Sequence, residues 1–437
     1  MVKKTRTILF LIFLFLFLIA SPLIVFYSQG YRLDLNPPAG GKKLTQTGGL
    51  FFKVLPKQAE IYLDGNLAKK TDFFFGSVLI ENILPKNYKV EIKKEGYYPW
   101  EKTLEIKEKE VTESKNIILF PQEPGFSIFN KGVKNFWFSP DQKKIISQEE
   151  NGKNWSLKLY ELDKNIKSHL IEEKNISLKK VDLLNLEFSP DSKEISLEAS
   201  LAEEIKHFNL KIDESPPLLT EATPLFSLPE NTLTYQRFNN VIYYLDNSGN
   251  VFKSAPLPNE EQKTPVKISL DNSQRINAQP LTLQPETEYK LWVFPDCLFL
   301  QENKNLYQLN QESKLFEKFF DGLNGMKISP NLKKLVYFSD YEIWILLLKD
   351  DLPKKAGDKI FLTRFSEKIT DCQWLTSDYL VFNTGDIIKI SEIDKKDRIN
   401  VIDIAKYKNP KLFWNQNNKE LYILSEGNLY QSEKLIK

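Results

Sequence analysis

"FWFSPDQKKIIS", Phe136 to Ser147, is an apolar stretch, a Ser-Pro-Asp turn, a lysine pair and a second apolar stretch. Proline has no amide hydrogen for a sheet ladder and presets a turn, so Pro140 ends one strand and opens the next. The same arrangement returns as "LEFSPDSKEISL" (Leu186 to Leu197) and "MKISPNLKKLVY" (Met326 to Tyr337). A looser unit of strand, polar turn and strand recurs at Val241 to Ser254, Cys297 to Leu309, Tyr379 to Ile390 and Glu420 to Ser432. With the copies at 145–160, 195–212 and 335–347 there are about seven such units, each of about 45 residues, the size of a four-stranded propeller blade. A single sheet of this kind cannot bury both faces by itself, so the copies are expected to stack around an axis. An early strand, Phe126 to Asn130, is the expected partner of the last unit.

Working outward toward the N-terminus, the pattern changes. Pro and Gly mark "NPPAGGKKLTQTGG" (Asn36 to Gly49) as a linker. Then come short strands. Gly49 to Leu55 closes at Pro56, and Glu60 to Leu63 closes at the hairpin dipeptide Asp64-Gly65. A third strand is expected at Ser77 to Ile83. Tyr88, Val90 and Ile92 alternate with Lys89, Glu91 and Lys93, which reads as a half-buried strand. Lys102 to Ile106 and Ser114 to Leu119 complete a small antiparallel β-sandwich.

The stretches "LFFKVLPKQAEIYLDGNLAKKT" and "IENILPKNYKVEIKKEGYYPWEKTLEI", with the closing "IILFP", resemble a PEGA domain. Pro56, Ala59, Asp64, Gly65, Thr71, Leu84, Pro85, Tyr88, Gly96, Tyr97 and Trp100 stand at the matching positions. The chain departs from that pattern at Pro56-Lys57-Gln58-Ala59, which lacks the turn glycine. It departs again at Lys86, where a turn glycine is usual, and at Asp72, where proline often follows Thr71. The Ser-Pro-Asp turns in turn resemble those of WD40-like and TolB-like propeller repeats, with Gln142, Ser192 and Leu332 where that family usually has glycine. The resemblance implies surface attachment and interaction, not a reaction.

The chain opens with "MVKKTRTILFLIFLFLFLIASPLIVFY". Ile8 to Tyr27 carries no charge and, as a helix, spans roughly 30 Å, the thickness of a bilayer core. Lys3, Lys4 and Arg6 precede it, so the basic flank is expected to stay inside and the bulk of the chain outside. A cleaved signal peptide is the competing reading. It lacks a small-x-small site near Ala20-Ser21, and the apolar run continues to Tyr27. The expected organisation is a cytoplasmic basic stub (1–7), a transmembrane helix (8–27), a linker (28–47), a PEGA-like sandwich (48–121) and a β-propeller (122–437). The expected class is all-β apart from the N-terminal helix.

Composition bounds the chemistry. In 437 residues, Lys plus Arg number 60 and Asp plus Glu 58, a net charge of +2. That balance gives no electrostatic footprint for nucleic acid. Two cysteines, Cys297 and Cys372, make neither a disulfide framework nor a clustered metal site. They fall in the fourth and sixth units, and both are expected free and buried. Two histidines, His169 and His207, leave little room for histidine catalysis. Gly-x-Ser-x-Gly, His-Glu-x-x-His and phosphate-binding glycine loops are missing from the sequence. Asp141 and Asp191 read as turn acceptors rather than acids. "LDNSGN" (Leu245 to Asn250) has oxygen ligands but not the calcium-loop spacing, and reads as a hairpin turn.

No catalytic, cofactor or metal residue is therefore expected. Tyr98 and Trp100 are the candidate binding residues, as an aromatic platform for a sugar ring. The leading reading is a membrane-anchored, non-enzymatic envelope protein. Its membrane contact is residues 8–27, and its propeller meets an envelope protein or a cell-wall glycan. The alternative is a glycan-processing enzyme, or a subunit of one, with its site in the propeller funnel.

Overall fold

The computed structural model describes residues 3–34, 43–152, 154–202, 204–222, 226–255, 268–270, 273–351 and 354–437. The chain divides into two compact units. One holds Met1–Pro124, Ser391–Ile404 and Lys434–Lys437; the other holds Gly125–Ile390 and Ala405–Glu433. The first stretch of the N-terminal unit ends at Pro124, and two later segments group with it.

The first unit begins with one helix, Lys3–Ser28. Within it Thr5–Ser28 has a mean hydropathy of 3.1, and none of its apolar stretch is buried against protein. A helix apolar on every side and of this length is long enough to cross a bilayer. The expected linker is partly structured. Tyr31–Asp34 pairs antiparallel with Lys43–Gln46, so the two flanks form a hairpin. Its Pro/Gly centre, residues 35–42, lies outside the described residues.

Two sheets follow. One is Ser77–Ile83, Gly48–Leu55 and Val111–Ile118; the other is Asn66–Lys70, Glu60–Leu63, Asn87–Lys93 and Trp100–Glu105. Alternation along Gly48–Leu55 turns Leu50, Phe52 and Val54 inward against Ile61, Val90, Ile92, Trp100 and Leu104. The expectation of an all-antiparallel sandwich needs one correction: Gly48–Leu55 and Val111–Ile118 pair in parallel. The chain returns to that edge only after passing through the other sheet, a crossover long enough to allow parallel pairing.

In the second unit the strands fall into successive four-stranded antiparallel sheets, a propeller-like arrangement. The first contains Val133–Phe138, Lys144–Asn151, Asn154–Glu161 and Ile166–Glu172. The second runs from Val181–Phe188 to Leu218–Glu221, the third from Thr232–Phe238 to Gln274–Arg275, and the fourth from Tyr289–Phe294 to Phe316–Phe320. The fifth runs from Gly325–Ile328 to Lys359–Arg364, and the sixth opens with Cys372–Trp374 and Tyr379–Thr384. The seventh holds Lys411–Asn415, Glu420–Ser425 and Asn428–Ser432, and its fourth strand is Phe126–Lys131. Phe126 pairs with Ser432 and Ile128 with Tyr430, so the first strand of the unit completes the last sheet.

Neighbouring sheets are joined by packing and by buried tryptophans. Phe138 stacks on Phe413 at 3.8 Å between ring centroids, bringing the first and seventh sheets together. The Trp155 indole N–H donates to the Val181 carbonyl at 2.7 Å, and that of Trp374 to Lys327 at 2.9 Å. Cys297 opens the second strand of the fourth sheet and Cys372 the first strand of the sixth; both are free and buried.

The three quoted turns have one geometry. Ser139 Oγ donates to Asp141 Oδ1 at 2.6 Å, and the same carboxylate oxygen accepts the Lys143 amide at 3.1 Å. Ser189 with Asp191 repeats this at 2.6 and 3.1 Å, and Ser329 with Asn331 at 2.8 and 3.1 Å. Asp141 and Asp191 are turn acceptors. Gln142, Ser192 and Leu332 occupy the glycine position at φ of 55°, 61° and 59°, a left-handed conformation in which a side chain is strained.

Candidate functional site

The residues that carry the small module hold its turns. Asp64 and Gly65 make the hairpin turn at φ of 48° and 81°. Asp64 Oδ1 then accepts the Lys89 amide at 3.0 Å, tying this turn to the next strand. Buried Thr71 accepts the Ala59 amide on Oγ1 at 2.9 Å. Asp72, one of the departures from the family pattern, takes over the following turn. Its Oδ1 accepts the amides of Phe74 and Phe75 at 2.8 and 2.6 Å, and its Oδ2 accepts the Ser77 amide and hydroxyl, each at 2.7 Å. Those donors, the Phe75 amide first, hold the carboxyl down at about 2.

Of the two candidate binding residues, Tyr98 is half-buried and Trp100 is buried. Trp100 is buried at 3% exposure and packs edge-on to Phe52. Its indole N–H donates to Glu392 Oε2 at 2.8 Å, and the Tyr98 hydroxyl donates to the Asp403 carbonyl at 2.8 Å. Both partners come from the 391–404 segment of the same unit. Tryptophan is buried here because the fold supplies its N–H with a partner. That partner lies far along the chain, so local sequence gave no sign of it. Lys102 joins the cluster with a fully buried side chain. Its ammonium lies 2.9 Å from Glu392 Oε1 and donates to the Asp394 carbonyl at 2.6 Å. Asn400 closes the cluster, donating its amide and its side-chain nitrogen to Glu392 Oε1 at 2.9 and 2.8 Å.

In the second unit, a cleft of about 410 Å³ opens where the first and seventh sheets meet, lined by Ser127, Phe129, Tyr160, Lys167, Glu420 and Gln431 among others. Behind it stands Glu149, 7% exposed. Its carboxylate accepts Asn130 Nδ2 at 2.5 Å, Tyr160 Oη at 3.1 Å and Ser147 Oγ at 3.2 Å, and it pairs with Lys158 and, at 3.4 Å, Lys167. Burial pushes the Glu149 carboxyl up, but the Lys158 and Asn130 hydrogen bonds and the Lys167 charge outweigh it. Its pKa lies below the ordinary value, so it is an anion near neutral pH and a poor proton donor. Burial, then the Glu149 charge, pushes the Tyr160 phenol up. Across the cleft, Gln431 and Tyr422 donate to Glu420 Oε2 at 2.7 and 3.3 Å. This arrangement can hydrogen-bond a polar ligand at the cleft mouth. Glu149 is paired with two lysines, and Glu420 accepts from neutral donors.

Sequence reading missed this cleft, because its residues come from both ends of the unit and share no motif. Among the described residues no group of three or more His, Cys, Asp or Glu is placed to hold a metal ion. Asp246, in the loop with oxygen ligands, accepts the Ser248 and Asn250 amides at 3.0 and 2.8 Å, as a hairpin turn does. His169 and His207 lie on strands of different sheets and are not brought together.

The turn chemistry of the small module agrees with a comparison against known families, in which residues 48–117 match the PEGA domain. Its match ends just before the expected boundary at residue 121. No curated protein is significantly similar in sequence to the whole chain. Among solved structures, the β-propeller domain of Myceliophteria thermophila Cps50 (Swd1) is 10% identical, with a TM-score of 0.42, over 71% of this chain and 99% of that one. YCF48 from Cyanidioschyzon merolae is 9% identical, with a TM-score of 0.43, over 70% and 98%. An oligogalacturonate lyase solved in complex with manganese is 9% identical, with a TM-score of 0.45, over 71% and 96%. The PEGA domain precedes the propeller-like unit and follows the apolar helix.

Proposed function

We propose that this is a single-pass membrane protein of the bacterial envelope whose PEGA domain and propeller are extracytoplasmic, and that it binds rather than catalyses. The observation that carries the reading is the pairing of Phe126–Lys131 with Asn428–Ser432. It joins the beginning of the second unit to its end, as ring closure requires, and supports a closed propeller of seven blades. Such a ring presents many loops on a rigid frame, an arrangement suited to binding. The carboxylates around the cleft are paired with cations, amides or phenols, which suits recognition of a polar surface on a glycan or a protein. The basic residues before the helix support a cytoplasmic N-terminus.

The test uses full-length protein in detergent, co-sedimented with purified cell-wall sacculi, with chemical crosslinking to envelope proteins in parallel. Either capture, lost in a Lys167→Glu/Gln431→Ala variant of wild-type stability, supports the reading. Retention of both captures by that variant removes the cleft from it. Turnover of glycan fragments by the wild type would replace binding with catalysis.

A further inference from the structure

The turn between Asn66–Lys70 and Ser77–Ile83 of the PEGA domain carries three consecutive phenylalanines, Phe73, Phe74 and Phe75, exposed at 64%, 73% and 73%. They are held in place. The Asp72 carboxylate accepts hydrogen bonds from four donors within the turn, and Gly76 closes it at φ of 66°. A Cβ at Gly76 would lie 2.4 Å from the Val54 carbonyl oxygen, so only glycine fits there. Phe73 and Phe74 meet edge to face at 5.4 Å. An ordered turn that directs three phenyl rings into water, where they gain nothing, calls for an apolar partner.

The surroundings indicate which partner. Exposed Leu67 and Leu79 extend the apolar surface along the same edge of the domain. Lys53, Lys57, Lys69 and Lys70 surround it; Lys53 pairs in register with Ser77, beside the turn. Of the nearby carboxylates, Asp72 is occupied by the turn, Glu60 pairs with Lys70 at 2.7 Å, and exposed Glu81 lies further along Ser77–Ile83, beyond Leu79. Apolar side chains ringed by lysine suit the boundary between acyl chains and anionic headgroups. The same unit carries the apolar helix, which brings a bilayer within reach.

We propose that the Phe73–Phe75 turn inserts into the surface of the membrane that the N-terminal helix spans. This rests on the reading of that helix as a membrane anchor. It also fixes an orientation. Arg32, just past the helix, donates to Asn82 at 2.9 Å, at the far end of Ser77–Ile83 from the phenylalanines. The turn therefore lies about 20 Å along the sheet from the anchor. The strands of the PEGA domain must run along the bilayer plane, with the Asn66–Lys70 and Ser77–Ile83 edge facing lipid.

The experiment uses the full chain reconstituted in vesicles of phosphatidylcholine and phosphatidylglycerol. Single cysteines at Phe74, Lys115 and Leu16 are labelled with an environment-sensitive fluorophore; the native thiols are buried. Spin-labelled lipids, shallow and deep, are the quenchers. The label at Phe74 is expected to be quenched several-fold more by the shallow lipid than the label at Lys115, on the opposite edge strand. Leu16 is expected to respond to the deep lipid. A label at Lys70 should lose its lipid quenching when Phe73, Phe74 and Phe75 are all changed to serine. Equal responses at Phe74 and Lys115, with Leu16 quenched, overturn the proposal and leave the anchor standing. Shielding of Phe74 from aqueous iodide without lipid quenching also overturns it, in favour of a protein partner. No quenching at Leu16 refutes the anchor itself.

Discussion

Trp100 donates its indole N–H to Glu392 Oε2 at 2.8 Å, across 292 positions of sequence and inside one compact unit. The same carboxylate meets the buried Lys102 ammonium at 2.9 Å. Trp100, one of the two candidate platform residues, is thus part of the interior that unites the PEGA domain with residues 391–404. Removing one partner of such a pair leaves an uncompensated charge out of water. Lys102→Met alone should lower stability by about 3 kcal/mol or more, whereas Lys102→Met with Glu392→Gln should lose less, because no bare charge remains. Urea unfolding of the single and double variants measures the difference. Hydrogen exchange along Trp100–Glu105 should rise most in the single variant.

The left-handed residues of the Ser-Pro-Asp turns offer the opposite effect. Leu332 sits at φ of 59° with 49% of its surface exposed, so its side chain contributes little packing to offset the strain. Leu332→Gly should raise stability by about 0.5–1 kcal/mol, as relief of the backbone exceeds the entropy lost by glycine. A higher urea midpoint with unchanged slope is the expected result.

Acid should loosen the Phe73–Phe75 turn. Asp72 sits at about 2 in the folded chain, against an ordinary 3.8, because the turn amides and Ser77 bind its ionised form. A carboxyl lowered by folding contributes stability above its unfolded value, and that contribution disappears as pH falls through the folded value. The loss falls between about pH 4 and pH 2. A carboxyl-carbon NMR titration of Asp72 should report the low midpoint. Asp72→Asn should remove that part of the acid dependence of stability.

The two thiols should be silent until the chain unfolds. Burial pushes Cys297 up to about 12, and Cys372, fully buried, goes up for the same reason. The thiolate is the reactive form, so neither should react with an aromatic disulfide reagent at neutral pH in the native state. Both should react at once in denaturant. Fast reaction of either in the native protein would contradict its placement.

What the sequence by itself determined is local. Alternating apolar residues show strands, Ser-Pro-Asp and Asp-Gly show turns, and the charge-free run from Ile8 to Tyr27 shows a membrane-length helix. These signals sit within a few residues of one another, because backbone geometry and the polarity of adjacent side chains are short-range constraints. The repeats, the PEGA domain and the pairing of Phe126–Lys131 with the last strand were legible for that reason. The Phe-Phe-Phe triplet was also in plain view, but its exposure follows from the Asp72 and Gly76 geometry that holds the turn. Tertiary structure alone decided that Trp100 lies inside against Glu392 and that Glu149 stands behind a cleft lined from both ends of its unit. Only the folded chain could bring Lys102 and Glu392 together. Ion pairs and buried hydrogen bonds join groups by distance in space, and no periodicity along a chain records which distant strand will supply the partner.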